Sequence, residues 1–311
     1  MRSLLLLAGV LALGSIGCGD DGSEATGGQG GGTATTGAGP TTGAGPTSGP
    51  STSSNGPSTT GSMTTATTGT GLPDGPSSDR LSLKPLGTVD GANMGYAEYL
   101  PPGYGDGGTR PLLVFHHGIG ESGDGSEEQL DRLFNTGLPP LIENDEWPSD
   151  RPFIVLMTQH NAPPNTSCHS TEEIDTFLDF AMGYYDVDPT RVYLTGLSCG
   201  AIGSWNYLGA HTNEVAAAAV LIAGDGNGAF NNAGCDLGKV AIWAFHGDAD
   251  GTVSPNGSIN PIENLNNCTN PAPVEAKLTI YPGVGHNSWD QTYNGSAGHD
   301  IYGWLLGHSK Q

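Results

Sequence analysis

From about residue 96 onward, short apolar runs rich in β-branched residues alternate with segments of helical pattern, and few folds satisfy that alternation. The runs 96–100, 112–116, 153–158, 192–195, 217–223, 240–245 and 278–281 read as strands. Between them, 127–135, 171–185, 199–210, 259–267 and 298–308 read as helices. Most of the runs are apolar at successive positions, so both faces of each strand must be covered. Strands of that kind joined by helices predict a mostly parallel sheet with helices on both faces and right-handed crossovers. Ser170 followed by Glu173 predicts a capping box at the start of the 171–185 helix. In open parallel sheets the reactive groups gather beyond the carboxyl ends of strands. His116-His117-Gly118, Ser198 and the stretch His246 to Asp250 fall at such ends, and His286 follows the last strand.

The amino-terminal quarter is of a different kind. Met1-Arg2 followed by the apolar run Leu4 to Ile16 is too short to span a bilayer and reads as an export signal within residues 1–18. The run ends at Gly17-Cys18, similar to a bacterial lipoprotein processing site, although Ser15 stands where that pattern carries Leu. Ordinary cleavage between small residues is the alternative. Residues 19–79 are dominated by Gly, Thr, Ser, Pro and Ala, with Thr-Thr-Gly-Ala-Gly-Pro repeated at 35–40 and 41–46. Such a stretch has almost nothing to bury and is expected to remain a disordered linker. Its r.m.s. reach is on the order of 40 Å, enough to hold a domain off a membrane surface. Residues 80–311 are then of the size of one α/β domain.

The formal net charge of −22 argues against nucleic acid and against docking on anionic lipid. Any membrane association is expected only through a lipid anchor. The charge suits an exported chain that acts on neutral substrates; its oligomeric state is not legible.

Gly196-Leu197-Ser198-Cys199-Gly200 follows an apolar strand run and opens a helical one. In that setting the two glycines let the chain turn sharply, so that the serine hydroxyl stands clear of the sheet, a nucleophile elbow. The helix amino terminus behind it offers free N–H groups and a positive dipole end to a developing oxyanion. A serine hydroxyl needs an imidazole base, and the base needs an acid to hold it in one tautomer. In strand–turn–helix serine sites the chain order is nucleophile, acid, base. That order sets aside His116, His117, His160 and His169. His211 ends the helix that Ser198 starts, and His299 and His308 lie in the final helical pattern. His286, in the loop Tyr281 to Trp289, is the candidate base. Asp248 and Asp250 both follow the 240–245 strand; Asp248 is placed to brace the loop, and Asp250 to be aimed back at His286. Asp225 reads as a turn residue. For the oxyanion, the candidate donors are the backbone N–H of Cys199 and that of Ile119, in the glycine-rich loop 117–123. One of His116 and His117 is expected to brace this loop. No metal is expected, because no Cys, Asp or Glu completes a ligand set there and Asp248-x-Asp250-Gly lacks further calcium ligands at regular spacing. No cofactor is expected.

Taken together, Pro111–Gly123, Gly196–Gly200, Ala244–Val253 and Tyr281–Trp289 resemble exported α/β-hydrolases over roughly residues 96–306. They are most similar to the dienelactone-hydrolase, phospholipase–carboxylesterase-like and "predicted peptidase" group, related to polyhydroxybutyrate depolymerases and feruloyl esterases. The resemblance implies an α/β-hydrolase fold without a large cap domain. It places the acid of a His-Gly-x-x-Asp motif on Asp250 and the base on His286. Cys199 stands where such chains more usually carry Met, and Ala201 where they carry Gly. It also implies a serine carboxylic-ester hydrolase working through an acyl-enzyme, on polysaccharide acyl esters or a polyester. The partner is then a small-molecule or polymeric ester. The alternatives are a prolyl-oligopeptidase-like serine peptidase and a non-catalytic surface binding domain. Trp289 and Tyr293, just after the base, are candidates to line the substrate pocket, with core packing as the other option.

With Cys18 assigned to processing, Cys168, Cys199, Cys235 and Cys268 remain, an even set that in an exported chain suggests two disulfides. The strand ends at which they fall favour Cys168–Cys199 and Cys235–Cys268 among the three pairings.

Overall fold

The computed structural model describes residues 71–212 and 214–310. The expected export signal, the expected lipidation site at Cys18 and the expected linker as far as residue 70 lie outside the described residues. Eight strands form one sheet: β1 (Leu81–Lys84), β2 (Gly95–Tyr99), β3 (Arg110–His116), β4 (Ile154–Gln159), β5 (Val187–Leu197), β6 (Ala218–Ile222), β7 (Ala241–Gly247) and β8 (Ala276–Tyr281). Their spatial order is β1-β2-β4-β3-β5-β6-β7-β8; the β1–β2 and β2–β4 pairings are antiparallel and the other five are parallel. The helices are α1 (Glu127–Leu130), α2 (Pro139–Glu143), α3 (Thr171–Tyr184), α4 (Cys199–Ala210), α5 (Asn227–Ala233), α6 (Asn256–Asn266), α7 (Trp289–Tyr293) and α8 (Ile301–Leu306).

The period of two along each strand divides the core. In β3, Leu112 and Val114 face one layer and Leu113 and Phe115 the other. The first layer also holds Phe177 and Leu178 of α3, Trp205 and Leu208 of α4 and Leu265 of α6. The second holds Leu130 of α1, Ile142 of α2 and Leu305 of α8. Each such side chain, fully buried, contributes roughly 1.5–3 kcal/mol, which is why the central parallel strands are apolar over most of their length. The predicted capping box is present at α3: Ser170 Oγ accepts from Glu173 N at 3.1 Å, and Glu173 Oε2 accepts from Ser170 N at 2.9 Å. It is worth about 1 kcal/mol.

Three expectations about elements change. The helix expected over 127–135 is α1 followed by a 3-10 turn, Asp131–Asn135. The helix expected over 298–308 starts only at Ile301, where Asp300 caps it by accepting from Gly303 N at 2.8 Å. The folded region also begins before residue 80. Leu72 exchanges backbone hydrogen bonds with Gly103 and Tyr104, and buried Ser77 donates to the Ile142 carbonyl at 2.7 Å. Residues 71–79, read from composition as linker, are thus tied to the domain by backbone and hydroxyl contacts that composition does not reveal.

Both disulfides pair as expected, Cys168–Cys199 with Cα atoms 5.0 Å apart and Cys235–Cys268 at 5.6 Å. Among the described residues no helix is long and apolar enough to cross a membrane.

Candidate active site

Ser198 sits between the last residue of β5 and the first of α4, with φ 50° and ψ −118°. That backbone conformation is sparsely populated for a residue with a Cβ and costs on the order of 1–3 kcal/mol. It is held by Ser198 N donating to Ile222 O at 2.8 Å and by Ile202 N donating to Ser198 O at 2.9 Å. The turn is tight enough to exclude side chains. A Cβ on Gly200 would fall far inside contact distance of the His116 carbonyl, and one on Gly196 would lie 2.7 Å from the Gly200 carbonyl carbon. Gly200→Ala is therefore expected to destabilise the domain by about 3 kcal/mol, the upper end for overpacking. Thermal unfolding checks this; an unchanged melting temperature would contradict the packing.

His286, in the loop after β8, places Nε2 at 2.9 Å from Ser198 Oγ and Nδ1 at 2.7 Å from Asp250 Oδ2. Asp250, in the turn after β7, is buried, and its Oδ1 accepts from the backbone N–H of Thr252 at 2.8 Å and of Val253 at 3.0 Å. Burial pushes the Asp250 carboxyl up, but the hydrogen bonds from His286, Val253 and Thr252 outweigh it and hold the group below the usual carboxylate range. Asp250 is thus ionised at neutral pH. Asp248 has the other job foreseen for it: its Oδ1 accepts from Gly283 N at 2.6 Å and ties the β7 turn to the loop that carries His286.

The loop after β3 is fixed by a neutral histidine. His117 Nε2 accepts from His160 N at 2.9 Å, so its proton is on Nδ1, which donates to the Gly118 carbonyl. Burial pushes the His117 ring down to about 4, which keeps it in that neutral form. Gln159 Nε2 holds the Glu121 carbonyl at 3.0 Å, and Asn165 N holds the Ile119 carbonyl at 2.9 Å. His116 does not brace the loop; its Nδ1 lies 2.8 Å from Ser204 Oγ inside α4. The backbone N–H groups of Ile119 and Cys199, the two expected oxyanion donors, have no protein acceptor among the described residues.

Gly118, Ile119, Gly120, Glu121, Leu197 and Trp289 surround Ser198 and His286 in an open cleft of about 160 Å³, which Thr136 completes. Trp289, a candidate to line the substrate pocket, lies at this cleft. Its ring stands edge-on to His286 at 5.0 Å and its Nε1 donates to Thr136 Oγ1 at 2.7 Å. Tyr293 is not a pocket residue. It is 1% exposed, packs against Phe115 and has its hydroxyl 2.8 Å from Thr195 Oγ1. One turn along α7 from Trp289, it is directed into the sheet by β3 and β5, a placement no local pattern encodes.

Thr136 and Glu121 had no role in the sequence reading, and His246 entered it only as part of the His246–Asp250 stretch and the His-Gly-x-x-Asp motif. Thr136 and Glu121 carry no local signal. His246, within the His246–Asp250 stretch, contacts Asp250 and is considered below. Away from the cleft, Asp175, His211 and Glu214 could hold a metal ion, with ligand atoms within 4.8 Å of one another. They lie at the opposite end of α4 from Ser198.

No protein-family model matches the chain, and no curated protein matches it in sequence. Its shape is similar to solved structures. A thermostable esterase superposes with a TM-score of 0.53 at 23% identity, covering 75% of this chain and 64% of that one. A protein from Bacteroides ovatus, provisionally assigned as a dipeptidyl aminopeptidase IV, gives 0.50 at 12% identity, covering 73% and 35%. The chain thus spans less than two thirds of the length of either. At these identities the likeness carries the fold, which is that of the α/β-hydrolases.

Proposed function

We propose that this chain, an α/β-hydrolase by fold, is a serine carboxylic-ester hydrolase. One observation carries the proposal: Ser198 Oγ, the His286 ring and the Asp250 carboxylate form a continuous hydrogen-bonded line, beside two unused backbone N–H groups. In this reading Ser198 Oγ attacks the ester carbonyl carbon while His286 Nε2 takes the hydroxyl proton. The carbonyl oxygen becomes an oxyanion held by the Cys199 and Ile119 N–H groups. Collapse breaks the C–O bond, and the alcohol leaves with the proton from His286. Water then enters and attacks the acyl carbon while giving a proton to His286; collapse breaks the bond to Ser198 Oγ, which takes that proton back, and the acid leaves. Asp250 stays ionised throughout and steadies the imidazolium.

The open cleft, with Ile119 exposed and Trp289 on its rim, suits a bulky or polymeric ester such as a polysaccharide acyl ester or a polyester. An export signal and a lipid anchor at Cys18 would present the site outside the cell, where disulfides persist. A fluorophosphonate probe is expected to label wild-type protein once, on Ser198. Acetyl, feruloyl and polyhydroxybutyrate esters are expected to be cleaved far faster than peptidyl anilides. Labelling elsewhere, or preference for the anilides, would overturn the ester reading and favour a peptidase.

A further inference from the structure

The carboxylate of Asp250 receives a second imidazole. His246, in β7, is completely buried, and its Nε2 lies 3.1 Å from Asp250 Oδ2, the same oxygen that His286 Nδ1 reaches at 2.7 Å. His246 Nε2 also lies 3.1 Å from the Val253 carbonyl. Both neighbours are acceptors, so the ring proton is on Nε2. At the other side of the ring, Nδ1 is 2.8 Å from Ser258 Oγ of α6, and that hydroxyl must donate. Burial pushes His246 below the ordinary histidine range, consistent with a neutral ring. Asp250 therefore has four donors, two backbone N–H groups on Oδ1 and two ring N–H groups on Oδ2, which use its full acceptor capacity.

We infer that His246 is a positioning residue for the triad: through Nε2–H it fixes Asp250 Oδ2 in line with His286 and takes up part of the carboxylate charge that His286 would otherwise feel alone. The inference rests on the ester-hydrolase reading of Ser198, Asp250 and His286. His246 exchanges no proton in the cycle. The charged and titratable groups bearing on this carboxylate are few. His286 comes from the loop after β8 and His246 from β7. Asp248, in the same turn, is directed to Gly283 N, and α6 contributes only the Ser258 hydroxyl. Glu121 also lines the cleft, with its carboxylate hydrogen-bonded by the backbone of its own loop at Gly118 and Glu121.

The sign follows from that geometry. Without the His246 hydrogen bond, Asp250 directs more negative charge at His286, stabilises the imidazolium and makes His286 harder to deprotonate. In His246→Leu, the acid limb of the kcat/KM profile on p-nitrophenyl acetate is expected to move up by roughly 0.5–1 pH unit, part of the 1–3 units that a neighbouring charge exerts. kcat is expected to fall on the order of tenfold, for the loss of one positioning contact, with KM little changed. His246→Gln can still donate to Oδ2 and is expected to restore the wild-type limb. His246→Asn keeps a polar group near Ser258 but stops short of the carboxylate; it is expected to behave as His246→Leu and serves if the leucine variant does not fold. A packing role alone would lower activity without moving the limb. If Ser198→Ala abolishes hydrolysis while the folded His246 variants all keep the wild-type limb, the positioning role is wrong and the esterase reading stands. Undiminished hydrolysis in Ser198→Ala would remove the esterase reading itself.

Discussion

Ser198→Ala is expected to lower kcat on p-nitrophenyl acetate by about 10⁶-fold, and Asp250→Asn by about 10⁴-fold, while Asp248→Asn stays within a few-fold of wild type. The reasoning is geometric. In the proposed reading Ser198 supplies the attacking oxygen, and it is the hydroxyl in the cleft that the His286 ring reaches. An asparagine at 250 keeps the shape of the turn, but its neutral amide cannot support the His286 imidazolium or hold the Nδ1–H tautomer as a carboxylate does. Asp248 contributes a single bond, from Gly283 N to Oδ1, and an asparagine oxygen accepts that bond equally well. Steady-state rates corrected for spontaneous hydrolysis check all three. Equal losses at 248 and 250, or an active Asp250→Asn, would contradict the assignment of the acid.

Removal of the Cys168–Cys199 disulfide is expected to affect both stability and rate, whereas removal of Cys235–Cys268 affects stability alone. The two crosslinks join residues separated by 31 and 33 positions. Loop-closure entropy gives each about 3.5 kcal/mol, or roughly 10 °C in melting temperature for a domain of this size. The difference lies in position. Cys199 is the residue directly after Ser198, and its N–H is the proposed oxyanion donor. Its sulfur anchors that residue to the loop after β4, where Asn165 holds the Ile119 carbonyl. Freed from the crosslink, both donors can drift. A kcat loss on the order of tenfold is expected for Cys168→Ala/Cys199→Ala, a fraction of the 10²–10³ that deleting one donor produces. Cys235→Ala/Cys268→Ala should keep wild-type kcat below its melting temperature. Paired thermal melts and rates on both double variants test this. Equal kcat in the two would mean that the first crosslink does not steady the oxyanion donors.

The parts of the site that were legible share a property: each is written in a few consecutive residues. Gly196 to Gly200 after an apolar run specifies a turn only glycines can make, and strand ends in a parallel sheet bring the following loops to one rim. The sequence order then separates His286 from the other histidines. Choosing between Asp248 and Asp250 was harder, because both sit in one tight turn and differ only in where the turn points them. Tyr293 shows where local reading stops. It lies one turn from Trp289 in a short helix, yet one ring reaches the cleft and the other is packed on Phe115. His246 is similar: its tautomer is set by Ser258 and Val253, twelve and seven residues away. The edge strand β1 went unread because its residues are only half-buried and gain strand character from pairing with β2.

The sequence by itself determined the parallel core of the sheet and the three strand ends beyond which Ser198, Asp250 and His286 lie. Burial on both faces and glycine-only turns are imposed on a chain locally, and they leave a local mark. Which aromatic ring lines the cleft, which residues ahead of position 80 join the fold, and that a second imidazole shares the Asp250 carboxylate were decided only in three dimensions. The first two outcomes depend on contacts between segments far apart in the chain, and the third on how one tight turn and the helix after it fold back on β7.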